Sequence, residues 1–463
     1  MKNMNVDVAI IGTGTAGMTA YRAVRKHTNK IVLIEGNKYG TTCARVGCMP
    51  SKLLIAAAEA SHAIQRSAKF GVCVSESPMI NGKEVMKRVL YERDRFVGFV
   101  LESVGDFDAS HKLRGMAKFL DDSTLAVDEK LIHANSFVIA TGSSPKVLPQ
   151  FLGLGDRLIV NDDIFDWKEL PKSVAVFGSG VIGLELGQAL HRLGVRVKVF
   201  GRAGRIRPIT DPKIVSYADK TFQSEFYLDS DSTIEKIWRD NNEVVVQYLT
   251  DGEQNVERFE YLLAATGRKP NIENLDLSRT SLQLDSNGVP VFDRLTMQCG
   301  KSHIFIAGDT NNDLTLLHEA ADEGQIAGEN AASFPNISRG LRRSMLSIVF
   351  TDPQIAVLGE TWEELQNSKP FVTGRVSFEG QGRSRVMLKN KGLLHVYADP
   401  FTKRLLGAEI FGPDAEHLGH LLAWSHQQAM TIPQILEMPF YHPVVEEGLR
   451  TALRDADSQL KKI

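Results

Sequence analysis

Two stretches of this chain spell the same local structure. "VDVAIIGTGTAGMTA" runs from an apolar strand through Gly12, Gly14 and Gly17 into a helical pattern. "KSVAVFGSGVIGLELG" repeats it with Gly178, Gly180 and Gly183. Each is followed by a second β-branched strand, "KIVLIE" and "VRVKVF". A lone G-x-G-x-x-G is weak evidence and can be a tight turn with no ligand. Placed between strand and helix it is the dinucleotide-binding fingerprint, because glycines let the backbone approach a pyrophosphate at the helix N-terminus. Two copies predict two nucleotide-binding folds.

The copies also close alike. "IATGS", containing Thr141 and Gly142, and "AATGRKPN", containing Gly267, each end an apolar strand on Thr-Gly. Both lie about 90–130 residues after their glycine turn, where a mononucleotide domain of ordinary size closes. "HIFIAGD" ends a further buried strand on Asp309, and after "RGLRRS" no nucleotide signature returns. The expected fold is α/β, with two Rossmann-like domains and a C-terminal α+β domain. The segments read as 1–148 for an FAD-type domain, 149–272 for an inserted NAD(P)-type domain, 273–342 for the return to the first, and 343–463 for the C-terminal domain.

A chain of 463 residues has room for two to four domains with real cores. A net charge of −2 gives no sign of a nucleic-acid or anionic-membrane surface. No apolar run reaches transmembrane length, and the apolar N-terminus reads as a strand entering a turn rather than a signal peptide. Four cysteines do not make a secreted disulfide scaffold. The reducing cytosol is the expected compartment, where a disulfide is more often catalytic than structural.

Two of those cysteines stand together in "TTCARVGCMPSK". In a regular helix, five residues advance about 7.5 Å, whereas a disulfide wants Cα atoms about 4.4–6.8 Å apart. Cys43 and Cys48 could bridge only across a distorted backbone, which Gly47 allows. They are either two unrelated thiols or a strained, reducible pair. Pro50 suits a helix's first turn, so Cys48 sits near a helix N-terminus, where dipole and N–H groups favour thiolate. Lys52 falls one turn on, on the same face. Cys73 and Cys299 are expected to be buried structural thiols. In "FYHPVVEEGLR", His442 precedes Pro443 at an expected helix start, with Glu447 placed to orient the ring. Taken alone, His442 is as readily a helix-entry residue as a base.

Together these motifs resemble the class I pyridine nucleotide–disulfide oxidoreductases over essentially the whole chain. The likeness rests on the first glycine turn with Glu35, C-x-x-x-x-C-x-P-x-K, both Thr-Gly motifs, "GSGVIGLELG", "FIAGD" and "HPVVEE". "LLHEAADEG" and "VFTDPQIAVLGET" are more similar to the dihydrolipoamide dehydrogenase branch than to glutathione reductases. Two departures stand out. Gly40 is followed by Thr41 where the family usually has a second glycine before Thr-Cys, and the second nucleotide fold lacks the usual acidic residue.

The resemblance implies FAD and NAD(P) as cofactors, a C-terminal dimerisation domain and a homodimer. It makes Cys48 the flavin-proximal, charge-transfer thiolate and Cys43 the interchange thiol, the more reachable of the two. Lys52 would sit by the flavin's reactive nitrogen, paired with Glu185. His442 and Glu447 would serve as the acid–base pair, supplied by the partner subunit. Glu35, 23 residues after Gly12, would bind the adenine ribose. Asp309 would bind the ribityl chain and Ala117 would contact adenine through its backbone. Thr42, Thr141, Gly142, Gly267 and Leu317 complete the expected cofactor contacts.

At the equivalent position of the second fold, 23 residues after Gly178, stands Gly201, followed by Arg202, with Arg205 and Arg207 close behind. This pattern removes repulsion of a 2′-phosphate and offers guanidinium groups to it. The three arginines can equally be solvated loop charges. The expected activity is FAD-dependent dithiol–disulfide oxidoreduction with NAD(P), on a dithiol such as a lipoyl group carried by another protein. A 2-oxo acid dehydrogenase complex is one such carrier. The competing readings are an NADPH-dependent disulfide reductase of the glutathione-reductase kind and a non-catalytic redox-sensing flavoprotein. Mercuric reductases carry an extra C-terminal cysteine pair, and nothing after Cys299 here is cysteine.

Overall fold

The structure, a computed structural model, describes residues 2–74, 79–250 and 252–463. It divides into two compact units. The first comprises Met1–Pro50, Arg88–Lys146 and Gly267–Arg342; the second comprises Ser51–Lys87, Val147–Thr266 and Arg343–Ile463.

The first unit is built on a sheet whose parallel part runs Lys112–Arg114, Ile31–Glu35, Lys2–Ile11, Lys130–Ile139, Ile304–Ile306. The adjoining stretches Val8–Ile11, Ile31–Ile34 and Phe137–Ile139 are continuous apolar runs, as a sheet covered on both faces requires. Val8, Ala9, Ile10 and Ile11 are all buried. The strand Lys130–Ile139 has two neighbours along one edge: its end pairs with Ile304–Ile306, and its start turns into an antiparallel meander with Thr124–Val127 and Ala117–Asp121. The helix Thr15–Val24 packs along Leu317–Ser333.

The second unit holds another parallel sheet, ordered Tyr227–Asp229, Arg196–Phe200, Ser173–Phe177, Tyr261–Ala264, Leu158–Ile159. All five residues of Ser173–Phe177 are buried. An antiparallel three-stranded sheet, Thr233–Asp240, Glu243–Thr250 and Glu253–Phe259, forms the crossover. The C-terminal part is an antiparallel five-stranded sheet ordered Leu346–Val349, Gln354–Gly359, Leu405–Gly412, Leu393–Ala398, Val372–Ser377. The helices Ala415–Gln427 and Glu446–Leu460 pack onto it around a core that includes Phe378, Leu418 and Leu453.

The two glycine turns share one packing rule. A Cβ at Gly17 would overlap the Gly12 carbonyl, and one at Gly183 would overlap the Gly178 carbonyl. Each helix therefore starts hard against its own strand end, which only glycine permits. Among the described residues, no helix is long and apolar enough to cross a membrane.

Candidate active site

The cysteine segment is two helices broken at one residue. Thr41 caps the short helix Thr42–Val46, its hydroxyl accepting the Ala44 N–H at 3.2 Å. The helix stops at Gly47, where a Cβ would fall 3.1 Å from the Cys43 Cα. A second helix, Cys48–Arg66, starts at once, with no acidic residue in its first turn. Cys48 is its first residue, two ahead of Pro50, so its sulfur stands where helix N–H groups favour negative charge.

In the chain on its own, Cys48 is exposed and Cys43 half-buried. The capped helix Thr42–Val46 and the tight return at Gly47 shelter Cys43, while Cys48 opens its own helix. Cys73 is exposed, not a buried thiol, because it follows the helical turn Ser67–Phe70 on a segment with Val72 and Val74 also exposed. Cys299 is buried, and burial pushes its thiol far up.

In the second unit, two residues far apart in sequence meet. Lys52 Nζ lies 2.8 and 3.0 Å from the two carboxylate oxygens of Glu185. Glu185 is only 4% exposed, on the second turn of Val181–Arg192 rather than the first. It also accepts the Phe350 N–H at 2.9 Å, and the ammonium stands 4.5 Å from the centre of the Phe350 ring. A buried carboxylate needs this many donors.

The glycine turns suit dinucleotides. Thr15–Val24 and Val181–Arg192 begin at Gly14 and Gly180 with no side-chain cap and no acidic residue in the first turn. Space is open around both capping glycines. That leaves first-turn N–H groups for a pyrophosphate, as FAD and NAD(P) require. Glu35 is fixed beside the first turn, accepting the Thr13 N–H at 3.0 Å, the Thr13 hydroxyl at 2.6 Å and the Asn37 N–H at 2.8 Å. Asp309 accepts the Ser143 hydroxyl at 2.6 Å and stands 3.9 Å from Arg268 Nε. The Thr141 hydroxyl donates to the Asn271 carbonyl at 2.7 Å, and Asn271 N–H donates to the Gly142 carbonyl at 2.9 Å. Just beyond the two Thr-Gly motifs, Ser143–Pro145 pairs antiparallel with Arg268–Pro270 in a small two-stranded sheet. Ala117 opens the strand Ala117–Asp121, buried, and Leu317 opens Leu317–Ser333, exposed.

After the second fold's outer strand the chain makes a packed loop. Arg202 and Arg205 are exposed, whereas Arg207 stands 3.4 Å from Glu363. The Ser179 hydroxyl, inside the glycine turn, donates to the Arg205 carbonyl at 2.5 Å. The loop is therefore tied to the turn itself. Gly201 is buried at its start: a Cβ there would lie 2.6 Å from Ser179 Oγ and 2.8 Å from the Ser230 carbonyl oxygen. The missing acidic residue is a packing requirement.

His442 lies just before the helix Glu446–Leu460, which starts later than expected, and Glu447 is its second residue. His442 Nδ1 is 3.1 and 3.0 Å from the two oxygens of Glu447. A carboxylate only accepts, so Nδ1 is the nitrogen that donates to Glu447, and Nε2 is the ring nitrogen not engaged by it. The imidazole is 80% exposed. The hydrogen bond from His442, then the Val444 N–H and the charges of His442 and Arg450, hold the Glu447 carboxyl below its usual range.

Residues 6–324 match the family model of the pyridine nucleotide-disulphide oxidoreductases, and residues 345–453 match the family's dimerisation domain. The chain belongs to this family. Its members bind FAD and NAD(P). A mercuric reductase of Staphylococcus aureus is 28% identical over 468 residues, covering 99% of this chain and 83% of that protein. A dihydrolipoyl dehydrogenase of Chlamydia trachomatis is also 28% identical, over 472 residues, covering 99% and 98%. In fold, the chain is similar to the HOCl-induced flavoprotein disulfide reductase RclA from Escherichia coli. That match has a TM-score of 0.79 at 22% identity and covers 98% of this chain and 99% of RclA.

Within this oxidoreductase frame, some contacts were missed in the sequence. Arg268, Ser143 and Asn271 lie inside or beside the Thr-Gly motifs, so the echo of "GRKPN" could have pointed to them. Phe350 acts through its backbone N–H, which no residue type announces.

Proposed function

We propose that this FAD-dependent disulfide oxidoreductase oxidises a small dithiol of the dihydrolipoamide kind. The observation that carries this reading is the His442–Glu447 pair, in which the carboxylate holds Nδ1 and Nε2 is the nitrogen that would take a thiol proton. In the proposed cycle Cys43 and Cys48 start as a disulfide. A substrate thiolate attacks the Cys43 sulfur, breaking the Cys43–Cys48 bond and leaving Cys48 as thiolate. The second substrate thiol, deprotonated by His442 Nε2, then displaces Cys43. Substrate leaves as a disulfide, and the two cysteines hold the electron pair. Bound FAD supplies the route for that pair to NAD(P)⁺. Lys52, held by Glu185, keeps a positive charge in place.

Site roles follow the order of residues in the family motif: Cys48 nearest the flavin, Cys43 toward substrate, and Glu35, Asp309, Ala117, Thr42 and Leu317 on FAD. The dimerisation-domain match supports a homodimer; in it His442 would serve the partner's cysteines, and the domains would meet near 148, 272 and 342. Mercuric reductases are among the similar relatives, and mercuric ion is therefore a competing substrate for the same cysteine pair. A cytoplasmic location suits a reducible cysteine pair.

The test is reduction of NAD⁺ and NADP⁺ by dihydrolipoamide, with oxidised glutathione as the competing acceptor in the reverse direction. Turnover with glutathione exceeding that with dihydrolipoamide would move the chain to the glutathione-reductase reading.

A further inference from the structure

We propose that Arg342 is a positioning residue for FAD, bracing from its buried side the turn that presents Asp309. This rests on the reading that Asp309 binds the ribityl chain. The bracing residues are two carboxylates of "LLHEAADEG", which the proposed cycle leaves unused, and Arg342, the last residue of the first unit. Glu319 and Glu323 stand one turn apart on the same face of the helix Leu317–Ser333. They are 1% and 0% exposed, and a carboxylate is kept so deep only where charges and donors meet it. One guanidinium meets both. Arg342 Nη1 donates to Glu323 Oε1 at 2.8 Å, and Nη2 donates to Glu319 Oε2 at 2.7 Å. Glu319 Oε1 accepts no hydrogen bond among the described residues, so Glu319 acts as the second anchor of Arg342.

The other oxygen of Glu323 is engaged by the turn. Oε2 accepts the Gly308 N–H at 2.8 Å and the Asn311 side-chain amide at 2.7 Å. These two donors bracket Asp309 and Thr310, so one carboxylate ties both sides of the helical turn Asp309–Asn311. The turn needs such a tie, because Gly308 at φ 76° and Asn312 at φ 57° both lie in the left-handed region. It is also tightly seated. A Cβ at Gly308 would lie 3.0 Å from the Ala16 Cβ, on the helix that leaves the first glycine turn. Burial pushes the Glu323 carboxyl up, and the Gly308 N–H and the Arg342 charge work against that push. Without the guanidinium, the buried charge would rest on the turn's two donors alone, and the hold on Asp309 would loosen.

The experiment uses the FAD-loaded protein and the variants Arg342→Met, Arg342→Lys, Glu323→Gln and Asp309→Asn. FAD release is timed well below the unfolding temperature, by flavin absorbance in the ultrafiltrate, and unfolding is read separately by circular dichroism. Arg342→Met should release FAD about tenfold faster, the worth of one charge-assisted hydrogen bond. Arg342→Lys should recover most of the wild-type rate. Glu323→Gln keeps the shape and removes the charge; it should also release FAD faster, and it carries the test should Arg342→Met not fold. Asp309→Asn should release FAD faster too, and adding Arg342→Met to it should change little, because both act through one contact. A lower unfolding temperature with wild-type FAD release, in Arg342→Met or its stand-in Glu323→Gln, overturns the proposal and leaves Arg342 a structural residue. Effects that multiply in the double variant overturn it as well, since Arg342 would then reach FAD by another route. Wild-type release in Asp309→Asn removes the reading of Asp309 and the proposal with it, whereas fast release there and wild-type release in Arg342→Met removes the proposal alone.

Discussion

Gly201→Glu restores the acidic residue that NAD-linked nucleotide folds carry at this point, and we expect it to fail. The position is buried, and the new Cβ would stand 2.6 Å from Ser179 Oγ, 2.8 Å from the Ser230 carbonyl oxygen and 2.9 Å from the Ser230 Cα. Ser179 cannot simply rotate away without losing its bond to the Arg205 carbonyl, at 2.5 Å. Ser230 is no freer, since its carbonyl accepts the Gly204 N–H at 3.0 Å. Two of the three clashes are with backbone, so the cost belongs in the upper part of the overpacking range, about 2–3 kcal/mol. At about 2–4 °C per kcal/mol for a unit of this size, Tm should fall by about 5–10 °C. Gly201→Ala should show most of that loss, because the first carbon makes the clash. Thermal unfolding of both variants gives the stability, and kcat/KM with NADH and NADPH gives the preference. The wild-type enzyme should use NADP(H) at least as well as NAD(H), and Arg202→Ala should erode that by about tenfold, the worth of an exposed charged contact. A Gly201→Glu protein with wild-type Tm and a strong new preference for NAD(H) would refute the packing argument. A wild-type enzyme with strong NAD(H) preference, unchanged by Arg202→Ala, would reduce the arginines to surface charges.

Other outcomes follow from the same geometry. Cys43→Ser and Cys48→Ser should each abolish dithiol oxidation while FAD stays bound, measured by turnover and by flavin absorbance after gel filtration. Mixing a His442→Ala subunit with a Cys43→Ser subunit should restore one working site per heterodimer; verified heterodimers without activity would rule out a base acting across subunits. His395→Leu should lower apparent stability at pH 7 by about 3–5 kcal/mol in urea unfolding, since it strips a partner from a buried charge. His395 Nδ1 lies 2.7 Å from Asp211, which is 3% exposed. Burial pushes the Asp211 carboxyl up, but the His395 bond and charge and the Lys213 and Ile214 N–H groups outweigh it, so its folded value is lowered. A depressed carboxyl contributes above its unfolded value of about 4 and loses that contribution as pH falls through the folded value. The gap between His395→Leu and wild type should therefore narrow below about pH 4.

What could be seen in the sequence divides by the distance over which each cause acts. The glycine turns were legible because strand, turn and helix lie within one short window, and Gly17 is fixed by a carbonyl five residues back. The helix break between Cys43 and Cys48 was legible for the same reason, since Gly47 meets atoms only four and five residues behind it. Exposure was not. Cys73 is exposed although a lone cysteine in a long chain is most often buried. The Lys52–Glu185 pair spans 133 residues and was reached only through resemblance. Its third member, Phe350, is present through a main-chain N–H that every non-proline residue shares. Gly201 is the instructive case. Its spacing flagged a departure in nucleotide chemistry, but the reason lies in a serine of the glycine turn and a carbonyl of the next strand's turn. A loop that must close over Ser179 and Ser230 has no room for any side chain at its first position, so the charge of that site passes to the exposed Arg202 and Arg205 that follow. Backbone packing thus excludes an acidic side chain at Gly201, and whether Arg202 then favours a 2′-phosphate is what the kcat/KM comparison reads.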